Sequence, residues 1–440
     1  MRRYIFMKYE MEMLEKLMFY DTEGIISSFP LFIFRMKEDI NTDTLQCAVV
    51  TAIKCHPIYG CKIMEDPKGP YLETNPEPPI IVDLNPDTEL FYGNQTNNHY
   101  PWLIGLRGKE ILFTQFHGLA DAMGAMNFMK TVFYYYFQEC GIECAKDSVL
   151  TFEMMNPETL IRKTECTMRK IGQTKASSML PKTELKETVI PDAMFETDSE
   201  KVSPYTISID LKSVKDRAKA SGVSQFAVLA PYFCEAFASV LPGNENVIKY
   251  TVICDTRRFT NSITSHNCVI SADIYYEQKK CSSLSKDAVR SYFREQLDCA
   301  LTANEIASSY HGIVELEKQI GENKQYIAGA AAAMVADFGL NTPYATVTYS
   351  HLTRLGFPED MLAQFEDIFC TSSSTSFPKS AALPLVEVIT VGDHINFTML
   401  DQLKGHPIMN AFMKKLEEDG IPCSRKEADK YRGVRWKHQD

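Results

Sequence analysis

Ile111-Leu112-Phe113-Thr114-Gln115-Phe116-His117-Gly118-Leu119-Ala120-Asp121-Ala122-Met123-Gly124 runs from an apolar segment to a single histidine and then to an acid. The apolar run Ile111 to Phe116 predicts a strand that stops at His117. From Asp121 the apolar positions Met123, Met126, Met129, Phe133 and Phe137 recur at helical spacing. Asp121 is then the N-cap, its carboxylate able to accept amide hydrogens of the first turn. Its negative charge also suits a helix N-terminus. A strand that ends at a histidine and turns at once into a capped helix fixes the imidazole by packing, yet lets it face a cleft.

Outward from this stretch, Pro101 to Leu106 and Glu110 to Phe116 read as two strands joined at Arg107-Gly108-Lys109. Upstream lie a short amphipathic helix, Met11 to Phe19, a strand, Leu31 to Arg35, and a helix, Asp43 to Lys54. Between about Ile171 and Pro204 the chain turns rich in Lys, Thr, Ser, Glu and Pro and loses periodicity, as a crossing between two lobes would. The second half restarts with a strand at Tyr205 to Ile209 and a helix at Leu211 to Ala220. A second helix is capped by Ser224, and Val247 to Ile253 is a strand. Helices are expected at 300–320 and 328–338, a strand at Tyr344 to Tyr349, a hairpin turning at Val391-Gly392-Asp393, and a last helix at Ile408 to Asp419. Strands and helices mix in both halves, so the fold class is α/β. The expected division is a first lobe at 1–170, the crossing at 171–204, a second lobe at 205–423 and a basic, poorly ordered tail at 424–440.

The 440 residues suffice for two or three lobes and a substantial core. A net charge of -11 argues against nucleic acid as a partner, because that binding needs a basic face. Thirteen cysteines without a Cys-x-x-Cys pair indicate neither a disulfide framework nor a zinc site, and a reducing cytoplasm fits them. No secretory signal is read at the N-terminus, and no apolar run is long enough for a membrane span. No metal cluster, phosphate loop or Gly-x-Ser-x-Gly elbow is present.

A lone histidine at a strand end is ordinarily a buried, hydrogen-bonded core residue. His117 has a second reading. Imidazole titrates near neutrality and is a natural general base for an alcohol or amine that must lose its proton while attacking a thioester. The His-x-x-x-Asp arrangement and its flanks resemble the active-site motif of the coenzyme A-dependent acyltransferase superfamily, which includes chloramphenicol acetyltransferase and the condensation domains of peptide synthetases. The likeness extends in order from about Leu14 to Cys423. It is nearest to bacterial alcohol acetyltransferase-like proteins, through Tyr71-Leu72-Glu73-Thr74-Asn75 with Pro78-Pro79 and through Ala218 to Ser224.

The resemblance implies two lobes of mixed sheet and helices with a tunnel between them. His117 would be the base. Asp121 would be structural and paired with an arginine. Cys254-Asp255-Thr256-Arg257, followed by Ser265-His266-Asn267, matches a family segment in which Arg257 is that partner and Asn267 would serve an oxyanion or line the tunnel. Ser350, in Thr346 to Gly356, matches a late strand end whose hydroxyl would serve an oxyanion or line the tunnel, although a turn residue is the plainer reading. The implied activity moves an acyl group from acyl-CoA, a co-substrate, to the hydroxyl or amine of a small-molecule acceptor. Two alternatives stay open: a free-standing condensation enzyme using a carrier-protein thioester, and a non-catalytic binding protein of the same fold. Many members carry His-His-x-x-x-Asp-Gly; here Phe116 replaces the first His and Ala122 the last Gly.

Overall fold

Alternation of apolar and polar residues decides the larger sheet. Along Tyr205–Asp210, Val247–Asp255, Leu385–Val391 and His394–Leu400, every second side chain enters one apolar core. That core is completed by Gln225–Val240, a helix buried along most of its length and capped by Ser224. The computed structural model describes residues 7–21, 29–85, 90–146, 149–181, 184–197, 203–337, 344–352, 354–371, 384–400, 402–426 and 434–436.

The second lobe is a mixed seven-stranded sheet. Its order is Val269–Glu277, Val247–Asp255, Thr346–Leu352, Leu385–Val391, His394–Leu400, Tyr205–Asp210 and Cys423–Lys426. Val247–Asp255, Thr346–Leu352 and Leu385–Val391 run parallel, and the remaining pairings are antiparallel. The first lobe is a five-stranded sheet in the order Phe365–Thr371, Leu31–Met36, Glu110–Gln115, Trp102–Arg107 and Val82–Asp83. Helices Thr42–Cys55 and Ala122–Glu139 pack on it, with Phe34, Phe113, Phe128, Phe133 and Trp102 at the centre of its core. Two α/β lobes are therefore present.

The division at 205–423 is corrected in one respect. The strand Phe365–Thr371 leaves the second half and joins the first lobe's sheet, antiparallel to Leu31–Met36. Without it, Leu31–Met36 would be an open edge of largely apolar residues, a template for aggregation. The tail is corrected too. Cys423–Lys426 closes one edge of the larger sheet, and Val434–Trp436 pairs in parallel with Leu90–Tyr92. The indole of Trp436 stacks on Phe116 at 4.4 Å between ring centroids. Val269–Glu277 and Lys286–Ala300 add a strand and a helix that the sequence reading left out. The helix expected at 300–320 starts at Ala303 because Thr302 caps it. The crossing adheres to the second lobe through a bridge between Val189 and Tyr344 and another between Phe195 and Leu403. Among the described residues no single helix is long and apolar enough to cross a membrane.

Candidate active site

His117 follows the strand Glu110–Gln115 and sits in a turn closed by the Leu119 amide, which donates to the Phe116 carbonyl at 2.9 Å. Gln115 braces both ends of that turn. Its Oε1 accepts from the Tyr59 hydroxyl at 2.9 Å, and its Nε2 donates to the Ala120 carbonyl at 2.6 Å. Gly118 is demanded by close packing. A Cβ there would come within 2.4 Å of the Phe116 ring and 2.9 Å of the Glu15 carbonyl oxygen. The Phe116 ring fills the space beside the turn and is held by Trp436 and Phe19.

The His117 ring meets Phe29 edge-on at 5.3 Å. Its Nδ1 is shielded and has no hydrogen-bond partner among the described residues. Burial lowers the imidazole's pKa, while its own main chain and Asp121 act in the opposite direction. The ring is therefore neutral at neutral pH, the state a base requires. Asn267 donates from Nδ2 to the His117 carbonyl at 3.3 Å and so ties the turn to the second lobe.

Asp121 caps Ala122–Glu139, accepting from the Gly124 amide at 2.8 Å through Oδ1. Its Oδ2 accepts from the Cys268 amide at 2.7 Å and from Arg257 Nη1 at 2.9 Å. Arg257 also donates to the carbonyls of Thr264 and His266, at 3.1 and 2.7 Å, and to Asp255 at 2.9 Å. The pair is dry, with Asp121 2% and Arg257 8% exposed. Burial works against the guanidinium's charge, but Asp121 and Asp255 outweigh it and raise its pKa. The structure thus brings His117, Asp121, Arg257 and Asn267 into one unit spanning both lobes. Ser350 stands apart, on the strand Thr346–Leu352, and no hydrogen bond among the described residues links it to His117.

One buried pairing had no signal in the sequence. Glu15 Oε1 bonds His266 Nδ1 at 2.9 Å, and Glu12 donates its amide to Glu15 Oε2 at 2.8 Å. Burial opposes protonation of His266, yet Glu15 prevails and raises its pKa. Burial and the nearby Glu15 push the Glu12 carboxyl up to about 7. This network braces the loop that carries Asn267 and the carbonyls bound by Arg257. Only the fold could bring the acids at 12 and 15 to the histidine at 266.

Gly124 lets the helix start approach that loop, since a Cβ there would fall 2.4 Å from the Ser265 carbonyl oxygen. Gly124→Ala should therefore cost about 1–3 kcal/mol by overpacking against rigid main chain. A lowered urea midpoint should report this loss, and an unchanged midpoint would show that the loop gives way freely. Among the described residues no three His, Cys, Asp or Glu side chains converge as metal ligands would.

The sequence matches no protein-family model and no curated protein. Solved structures do match. Polyketide synthase associated protein 5 from Mycobacterium tuberculosis aligns over 93% of this chain and 97% of its own, at 14% identity and a TM-score of 0.58. F. graminearum TRI101, complexed with coenzyme A and deoxynivalenol, aligns over 95% and 99%, at 11% identity and a TM-score of 0.61. This is the chloramphenicol acetyltransferase-like fold. The TRI3 trichothecene 15-O-acetyltransferase from Fusarium sporotrichioides aligns over 94% of each chain, at 10% identity and a TM-score of 0.59. The nonribosomal peptide synthetase FmoA3 matches 94% of this chain over 44% of its own length, at 12% identity and a TM-score of 0.54. The chloramphenicol acetyltransferase-like fold thus covers nearly the whole chain, at identities that speak for the fold alone.

Proposed function

We propose that the protein transfers an acyl group from acyl-CoA to a hydroxyl or amine of a small acceptor, with His117 as general base. One observation carries this reading. The buried Arg257–Asp121 pair and Asn267 hold the turn of a neutral imidazole between two lobes. In the proposed step His117 takes the proton from the acceptor as its oxygen or nitrogen attacks the thioester carbonyl. The tetrahedral intermediate then collapses, the carbon–sulfur bond breaks, and the proton passes to the departing thiol. No acyl-enzyme is needed. Asp121 and Arg257 position the base and carry no proton. Asn267 serves the turn through the His117 carbonyl, and Ser350 would meet the substrate in the tunnel. Thirteen free cysteines support a reducing cytoplasm as the working compartment.

The likeness to FmoA3 supports one variation, in which a carrier-protein thioester replaces acyl-CoA. Both donors can be assayed by release of free thiol, using acetyl-CoA, longer acyl-CoAs and an acylated carrier with a panel of alcohols and amines. Acceptor-dependent thiol release with acyl-CoA is the expected result. Release from the carrier thioester alone would select the condensation reading. Ligand binding without turnover from any donor would overturn acyl transfer.

A further inference from the structure

A sheet face that packs against a second lobe is expected to be apolar, because burying polar groups without partners costs free energy. The inner face of the seven-stranded sheet departs from this in several rows. Asn396 faces Ser208 and His394 faces Asp210, with Asp367 bonding Asn396 and His394, and one further row is less fully paired. On its outer face Val252, Tyr349, Val386, Phe397 and Ile207 enter the helical core. The intervening side chains therefore point toward the first lobe, and Ile389 and Val391 do join that lobe's core. Along this inner face the register aligns Ser350 with Glu387, Glu387 with Thr398, and Thr398 with Thr206. Four neighbouring strands thus present a rung of three hydroxyls and a carboxyl, about 14 Å long at ordinary strand spacing. The edge strand continues it with Lys426 opposite Thr206, its ammonium held by Asp367 and Asn396.

Thr206 and Thr398 satisfy each other at 2.9 Å between hydroxyl oxygens. Glu387 is different. It is 9% exposed, and its Oε2 is buried with no hydrogen-bond partner among the described residues. Its neighbours include the Cys370 thiol, on the strand that crosses from the second half into the first lobe. A buried carboxyl oxygen without a partner is rare in native proteins and calls for an explanation.

We propose that this rung is a binding floor between the lobes for a neutral, polyhydroxylated acyl acceptor, and that Glu387 shares a hydrogen bond with one of its hydroxyls. The assignment of that ligand as the acceptor rests on the acyl-transfer reading. Burial drives the Glu387 carboxyl up to about 8, only partly offset by the Ser350 hydroxyl, so it is a neutral acid at neutral pH. A neutral carboxyl both donates and accepts a hydrogen bond, as an alcohol does, and its row-mates are hydroxyls with the same dual capacity. A cationic ligand would instead require the ionised form in a place that disfavours charge. Glu387 is a specificity residue here and takes no part in proton transfer to the thioester.

The test measures binding to the whole protein without any acyl donor. Probes are myo-inositol and methyl glucoside against cyclohexanol and cyclohexylamine, titrated into wild type, Glu387→Gln and Glu387→Leu. Wild type should favour the polyols over cyclohexanol by about ten-fold, the worth of one or two hydrogen bonds. Glu387→Gln keeps a neutral donor and acceptor and should retain that preference within about three-fold. Glu387→Leu should abolish it while leaving the thermal midpoint unchanged or raised, since an unsatisfied acid has been removed. If the leucine variant does not fold, Ser350→Ala combined with Thr398→Val must weaken the preference instead. No preference in wild type, a preference that survives in Glu387→Leu or in the folded double variant, or cyclohexylamine binding best would each overturn the proposal. Polyol binding without acyl transfer would refute the reaction and leave the floor standing. Transfer to acceptors without a polyol preference would do the reverse.

Discussion

His117→Ala should keep the fold and lose about 10²- to 10⁴-fold in acyl-transfer rate, the usual worth of a positioned general base. The side chain makes one edge-on contact with Phe29 and its Nδ1 has no partner among the described residues, so the fold leans little on it. Acceptor-dependent thiol release is the readout, with circular dichroism as the check on folding. The pH profile carries a second signature. Burial lowers the imidazole's pKa, so the base stays neutral below the ordinary histidine range, and the rate should fall only on the acid side of it. The same depression affects stability. The folded state binds this proton less readily than the unfolded chain, so stability declines as pH falls through the ordinary imidazole range. Burial holds His351 at about 4, which adds to the decline in the same direction. An alanine variant as active as wild type would overturn the role of His117.

The second large effect is expected at Arg257. Its guanidinium serves Asp121, Asp255 and two main-chain carbonyls in a dry junction between lobes. Arg257→Met would strand the buried Asp121 carboxylate and free both carbonyls. Removing one partner of a buried pair typically costs about 3–5 kcal/mol. Asp121→Asn should cost less, because Arg257 keeps Asp255 and both carbonyls, although the single amide oxygen can accept from only one of the Gly124 and Cys268 amides. Lysine at 257 should rescue little, since one ammonium cannot reproduce the fork of donors. Urea unfolding gives the free energies, and activity should fall with them because Asn267 and the His117 turn move together. Wild-type stability in Arg257→Met would refute this account.

How much of this was legible depends on the range of each interaction. The turn at His117 and the cap at Asp121 were readable because strand end, acid and helix are neighbours in sequence. Arg257 and Asn267 followed from a family spacing and not from any local physics. Val269–Glu277 carries clean alternation, with Ile270, Ala272, Ile274 and Tyr276 on one side, but it sits in a stretch from which no strand was read. The pairing of Glu15 with His266 and the stacking of Phe116 on Trp436 had no sequence signal, because neither depends on a local pattern. The polar rung around Glu387 is of the same kind. Each strand shows one ordinary polar residue, and only the register lines them up. A hydroxyl-rich run at 371–376, which in sequence reads as a polar loop, lies almost wholly outside the described residues.

The strand Phe365–Thr371 has a consequence for how the protein is made. Its partner, Leu31–Met36, leaves the ribosome roughly 330 residues earlier and must wait for it, so the sheet that carries His117 depends on contacts of very high sequence separation. Until then the early half of a nascent chain presents a bare apolar strand edge, the state most exposed to mispairing. The first lobe's sheet cannot be completed from the first half alone. The His117 turn can acquire its final support only after the strand at 365–371 has emerged.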